Sequence, residues 1–189
     1  MQFHNIGNVC VDICGKIKGN SVIFFPSYYL MNVIGGVIQA NTRREIFMES
    51  KFLNKEEKEN FIEDFKKSDD AILLAVSSGS FGEGLDMPGV LKGVIIVGLP
   101  LSRPDLETQE LIGYYNKKFG KGWDYGYVFP ALSKTMQNAG RCVRSEKDKG
   151  IIVFLDERYA NSSYYRCFPK DWDVKVVNDY NDKISEFFN

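Results

Sequence analysis

Ser21-Val22-Ile23-Phe24-Phe25-Pro26-Ser27-Tyr28 is the stretch that decides the architecture. Five residues fit for a buried strand are stopped by a proline, and a serine able to cap a helix follows at once. A strand that feeds a capped helix through a tight turn is the unit from which parallel sheets are built. The helix is expected to run from Ser27 to about Gln39, and Glu45 to Met48 reads as a second strand. Lys55 to Lys67 reads as a charged amphipathic helix with Phe61, Ile62 and Phe65 as its inner stripe. Ala71 to Val76 and Val94 to Val97 are further strands, the first followed by a glycine-rich loop. Helices are expected over Leu106 to Phe119 and Ser133 to Val143, then a buried strand at Ile151 to Leu155, and a last short strand and helix between Val174 and Phe188. Strands alternating with helices predict an α/β fold: a parallel sheet with helices on both faces, as one domain over residues 1–189. Ser102 to Pro130 interrupts the alternation with an aromatic and basic insertion.

The chain has 189 residues, enough for one well-packed domain, with 44% hydrophobic and 26% charged residues. A net charge of −1 means that any nucleic-acid contact must come from local patches. No apolar run approaches the roughly 20 residues of a membrane span, and the start lacks a signal-peptide pattern, so an intracellular location is expected: cytoplasmic in a prokaryote, nuclear in a eukaryote. Cys10 and Cys14 stand one helical turn apart, but Cys142 and Cys167 complete no metal-binding spacing, and no metal site is expected. His4 is the only histidine, near the chain start, which argues against a histidine base.

Two segments carry chemistry. Gln137-Asn138-Ala139-Gly140-Arg141-Cys142-Val143-Arg144 has the form QxxGRxxR. On a continuous helix Gln137, Arg141 and Arg144 would share one face, with Gly140 clearing room for a close neighbour. An amide and two guanidinium groups on one stripe suit a phosphate; the bland alternative is a solvated basic face. Ser77 to Gly89 follows the third strand, where open parallel sheets place their ligands. Ser78 and Ser80 offer hydroxyls there, Glu83 and Asp86 carboxylates, and the glycines close backbone approach; the alternative is a tight connection. No GxxxxGK[ST] loop occurs, and Asp156-Glu157-Arg158 lacks an accompanying phosphate loop; it reads as a strand-end turn with Arg158 paired locally. Phosphate-sensing arginines without a phosphate cradle are the profile of half an ATPase.

These residues resemble a known family. Phe24 to Tyr28 resembles helicase motif IV, Gly79 to Asp86 motif V, and Gln137 to Arg144 motif VI. Their order and spacing resemble the second motor domain of XPD/DinG-type superfamily 2 iron–sulfur DNA helicases. Val97 to Pro104 and Lys118 to Trp123 look most like the archaeal XPD branch, and the likeness spans about Ser21 to Tyr159. It implies a RecA-like, P-loop NTPase-type domain without its own P-loop, and ATP-driven 5′ to 3′ movement on single-stranded DNA, with a role in DNA repair. Motif IV would lie near 21–28, motif V near 79–89 and motif VI at 137–144. The resemblance gives Arg144 the arginine-finger position, Arg141 a second γ-phosphate contact and Gln137 a supporting role. Glu83, Gly84 and Asp86 would touch nucleotide, and Ser27, Tyr28 and Ser80 the DNA. ATP and Mg2+ would be shared with a first motor domain, and the iron–sulfur cluster would sit in that other half. The expected partners are that domain and single-stranded DNA, the expected state is a monomer, and the chain alone is expected to be inactive.

The insertion interleaves Tyr114, Tyr115, Phe119, Trp123, Tyr125 and Tyr127 with Lys117, Lys118 and Lys121, a pattern of stacking rings and phosphate-binding lysines. Leu111, Tyr114, Tyr115 and Phe119 equally fit the apolar face of a helix packed on the sheet; Arg103 and Lys121, in loops, are read as DNA contacts. Two other classes remain: a non-catalytic docking or DNA-binding module derived from such a helicase, and a free-standing α/β nucleotide enzyme. Retained arginines speak against the first and the missing phosphate loop against the second.

Overall fold

The computed structural model describes residues 2–84, 87, 89–101, 103–143 and 148–188, with residues 83 and 84 described by backbone only. Five strands form one parallel sheet: β1 (Asn20–Phe25), β2 (Glu45–Met48), β3 (Ala71–Val76), β4 (Leu91–Val97) and β5 (Ile151–Leu155). Their spatial order is β2-β3-β1-β4-β5, so the most apolar strands, β1, β3 and β4, lie inside. All four pairings are parallel, and every carboxyl end therefore opens on one edge of the sheet. β5 is only half-buried along its length, unlike the buried strand expected, because it is an outer strand with one neighbour.

Alternate residues of the inner strands feed opposite faces, as the pleat requires. Ile23, Phe25, Ile72, Leu74, Ile95 and Val97 pack against α1 (Gln2–Lys16), α2 (Tyr28–Asn41) and α8 (Asn181–Phe188). Val22, Phe24, Leu73, Val94 and Ile96 pack on the other side against Phe65 of α3 (Lys55–Lys67) and Phe81 of α4 (Ser80–Gly84). Phe24 and Phe65 are fully buried, and each such ring contributes about 1.5–3 kcal/mol. Ser27 caps α2 by accepting from the Leu30 N–H, and Asn54 with Glu57 forms a reciprocal capping box on α3.

The amino edge of the sheet is closed by side chains. Asn20 is buried; its amide donates to the Ser68 carbonyl (2.5 Å) and its oxygen accepts from the Ala71 N–H (2.8 Å). Arg44 donates to the carbonyls of Cys14, Gly19 and Ala71 and pairs with Asp70 at 3.0 Å. The carboxyl edge is thereby the one left to loops.

Several elements differ from the sequence reading. The segment around His4 and Cys10 is a regular helix, α1, which lays Cys10, Ile13 and Cys14 against the core. The glycine-rich loop after β3 contains the short helix α4. The insertion forms α5 (Leu106–Phe119) and a π-helical turn over Asp124–Val128 that runs into α6 (Phe129–Ala139), and a single-turn helix, α7 (Ser162–Tyr165), stands between β5 and α8. α5 does not pack on the sheet: it buries no residue fully and rests on the π-turn. Tyr114 and Phe119 are each more than half exposed, and Tyr115, Phe119, Tyr125 and Phe129 form a chain of rings with centroids 5.3–6.1 Å apart. Beyond Val174 the structure has a helix, α8, and no strand among the described residues; Val176 and Val177 are exposed there.

Candidate functional site

The loops at the carboxyl edge are built from three strand ends. β1 delivers Pro26, Ser27 and Tyr28; β2 delivers Glu49; β3 delivers Ser77 to Ser80. Backbone bonds join them, because Ser77 N–H donates to the Phe25 carbonyl and Glu49 N–H to the Leu74 carbonyl, each at 2.9 Å. The segment after β3 then coils tightly: Gly79 N–H donates to the Val76 carbonyl (2.8 Å) and Gly82 N–H to the Gly79 carbonyl (3.0 Å). A side chain at Gly82 would collide with the Ser77 carbonyl, and one at Gly79 with the Glu49 carboxylate. Glycine is needed at both for close approach.

α6 closes this loop from the other side, with a geometry the helical-stripe reading does not anticipate. The helix ends at Ala139. Gly140, Arg141 and Cys142 continue as tight turns, with Arg141 N–H on the Asn138 carbonyl (3.3 Å) and Cys142 N–H on the Ala139 carbonyl (3.2 Å). Gln137 and Arg141 therefore do not share a face: Gln137 is exposed on α6, and Arg141 is buried beneath the loop. Gly140 ends the helix, and among the described residues a side chain there would meet the Met136 and Gln137 carbonyls of its own turn and no packed neighbour. The Arg141 guanidinium donates from Nη2 to the Gly82 carbonyl at 2.7 Å. Asn138, fully buried, donates from Nδ2 to the Ser77 carbonyl at 3.2 Å. The QxxGRxxR segment thus grips both ends of the coil formed by residues 77–82. Arg144 and Asp86 lie outside the described residues, as does the side chain of Glu83.

The other sequence candidates are placed as follows. Ser27 is half-buried and engaged in capping α2. Tyr28 turns its hydroxyl inward to donate to Glu49 Oε1 (2.9 Å), and the Lys51 ammonium sits 4.6 Å from its ring centroid. Burial and then the bond to Glu49 push the Tyr28 phenol up to about 12. Ser80 is half-buried at the start of α4. Arg103 and Lys121 are exposed, in the β4–α5 connection and just after α5. Gln137 borders a groove of about 570 Å³ with Phe129, Leu132, Met136, Cys167 and Pro169. Arg158 pairs with Asp156 at 2.6 Å, as the strand-end reading expects. Tyr159 ties this corner down by donating to the Gly98 carbonyl (3.0 Å). Cys10 and Cys14 lie on one face of the sheet and Cys142 on the other, where burial raises the Cys14 and Cys142 thiols to about 12. Such a set supplies no converging thiolates.

Two residues at the centre of the site were not singled out from sequence. Glu49 follows an apolar strand at its carboxyl end, which is itself a signal in parallel sheets. Asn138 lies inside the QxxGRxxR segment, one residue past the helical stripe that drew attention.

The sequence that builds this edge of the sheet matches a known family over most of its length. A family model described as the helicase C-terminal domain matches residues 10–175. The chain belongs to that family. The helicase C-terminal domain seen here is of the XPD/DinG type. It is 32% identical over 153 residues to the ATP-dependent DNA helicase DinG of Photobacterium profundum, covering 76% of this chain and 21% of that protein. It is 29% identical over 169 residues to the 3′-5′ exonuclease DinG of Staphylococcus saprophyticus, covering 87% of this chain and 18% of that protein. Among solved structures an XPD helicase superposes with a TM-score of 0.68 at 22% identity, covering 87% of this chain and 29% of that one, which establishes the RecA-like fold. The helicase C-terminal domain thus spans about a fifth of the curated relatives it matches. No helix among its described residues is long and apolar enough to cross a membrane.

Proposed function

We propose that this domain is the second motor domain of an ATP-dependent DNA helicase, working with a first motor domain that holds ATP and Mg2+, moving 5′ to 3′ on single-stranded DNA and serving DNA repair. The observation that carries the reading is the grip of Arg141 and Asn138 on the coil at residues 77–82. It supports the reading because it ties a guanidinium-bearing turn to the loop after β3 at the carboxyl edge of the sheet, the edge at which open parallel sheets bind ligands. In this reading the roles are those the resemblance implies: Arg144 as the finger on the γ-phosphate across the interdomain cleft, Arg141 as the second phosphate-side contact, and Gln137 in support. Glu83, Gly84 and Asp86 line the nucleotide side. A guanidinium suits phosphate oxygens; the carboxylates that would hold Mg2+ belong to the first motor domain. Phosphoryl transfer needs positioning and charge neutralisation above all, and these are what a rigid arginine turn supplies.

On the DNA side, Ser27, Tyr28 and Ser80 form the part of the track nearest the strand ends. Arg103 and Lys121 extend it along the insertion, where the exposed rings of Tyr114, Phe119 and Trp123 offer stacking surfaces. With a net charge of −1, this local patch carries the electrostatics. Titration of labelled oligonucleotide at several salt concentrations tests the reading. The chain is expected to bind weakly, without sequence preference, and with an affinity that falls as salt rises. An Arg103→Ala/Lys121→Ala double variant is expected to lower the salt slope by about 1.4, at about 0.7 per lost phosphate contact. An unchanged slope and affinity would remove both residues from the track.

A further inference from the structure

We propose that Glu49 is a positioning residue whose buried carboxylate couples the Tyr28 side chain at the head of α2 to the coil of residues 77–82. The coupling stands on geometry within this chain; its meaning as a link between DNA and nucleotide rests on the reading above.

Glu49 is 3% exposed, and among the described residues no lysine or arginine pairs with it. Burying an unpaired carboxylate is expensive unless its oxygens receive strong hydrogen bonds. Both do. Oε2 accepts from the Val76 N–H at 2.7 Å and Oε1 from the Tyr28 hydroxyl at 2.9 Å. The two donors belong to different units: Tyr28 opens α2, and Val76 is the last residue of β3, whose carbonyl starts the coil by accepting from Gly79. Gly79 lies against the carboxylate itself, close enough that no side chain fits between them. Glu49 is thus the body across which the head of α2 and the coil touch. The coil in turn is held by Asn138 and Arg141. A displacement of Tyr28 reaches the arginine turn through one carboxylate and one loop. An apolar residue would fill the same space more cheaply, and would transmit nothing between donors.

Hydrogen exchange on the 189-residue chain tests this without DNA or nucleotide, so its outcome is separate from that of the helicase reading. Tyr28→Phe removes only the hydroxyl. It is expected to speed exchange of the Gly79 and Gly82 amides about fivefold, as the loss of one ordinary hydrogen bond dictates. In a Glu49→Leu background, which removes both carboxylate oxygens and offers the hydroxyl neither donor nor acceptor, the same substitution is expected to add nothing. Thermal unfolding checks that each variant is folded; if Glu49→Leu does not fold, the Tyr28→Phe result alone decides. Unchanged exchange at Gly79 and Gly82 in Tyr28→Phe would overturn the proposal, and so would an equal effect in the Glu49→Leu background.

Discussion

Arg144→Ala, made in the helicase rebuilt with its first motor domain, is expected to lower DNA-stimulated ATP turnover by roughly 10³–10⁵-fold. DNA affinity and thermal unfolding should stay near the parent values. The magnitude follows from when the interaction is made: a finger supplied across a cleft meets charge that develops on the γ-phosphate only in the transition state, so its loss appears in rate and not in binding. Arg144→Lys should recover little, because an ammonium is a point charge and cannot reproduce a planar fork. If the arginine only solvates a surface turn, alanine would cost about half a kcal/mol of stability and leave turnover intact. Turnover and unfolding measured on one preparation separate the two, and a folded Arg144→Ala protein of near-normal turnover would remove the motif VI assignment.

Arg141→Ala is expected to act differently, because Arg141 serves the fold as well as the site. Its side chain is buried, with 9% exposure for the residue, and its guanidinium holds the Gly82 carbonyl at 2.7 Å. Removing a charge-assisted hydrogen bond of this kind should cost the isolated chain about 1.5–3 kcal/mol of stability. In the rebuilt helicase the coil would lose its anchor and the phosphate a preorganised donor, lowering turnover by roughly 10²–10³-fold. The contrast between the two arginines is itself informative: Arg144→Ala loses rate alone, Arg141→Ala loses rate and stability together. Chemical denaturation of the isolated chain and turnover of the rebuilt enzyme measure each part. An Arg141→Ala chain as stable as the parent would mean that the bond to Gly82 carries no weight.

Several patterned elements were legible from sequence to within a residue, whereas β4 begins at Leu91, three residues before the start expected, and α6 runs from Phe129 to Ala139 where Ser133 to Val143 was expected. The strands at Glu45–Met48, Ala71–Val76 and Ile151–Leu155 and the helices at Lys55–Lys67 and Leu106–Phe119 have the bounds expected, since each is flanked by a cap, a turn or a change of hydrophobic period. α1 was missed because its apolar stripe, Ile6, Cys10, Ile13 and Cys14, is half cysteine, and small sulfur side chains make a weak periodic signal. The strand expected near Val174 rested on Val174, Val176 and Val177, but the sheet already ends at β5 and no neighbouring strand receives them.

The site shows the limit more sharply. Spacing brought Gln137, Arg141 and Arg144 onto one helical face, yet spacing assumes that the helix continues, and Gly140 ends it. What replaces the stripe is a pair of long-range bonds from side chains to backbone carbonyls, Arg141 to Gly82 and Asn138 to Ser77, that no local pattern encodes. Glu49 was overlooked for the same reason. A lone glutamate after a strand is ordinary in sequence, and becomes distinctive only when the fold buries it between Tyr28 and Val76.

As proposed, this domain completes an ATPase whose nucleotide is held elsewhere, and phosphate release reports on that completion. The pure 189-residue chain, given ATP, Mg2+ and single-stranded DNA, is expected to release no more phosphate than its Arg144→Ala variant. Joined to the first motor domain of the same helicase, which alone should turn over slowly or not at all, it is expected to give DNA-stimulated hydrolysis that Arg144→Ala abolishes. DNA-stimulated hydrolysis by the chain alone, or a first motor domain equally active with and without it, would contradict the account.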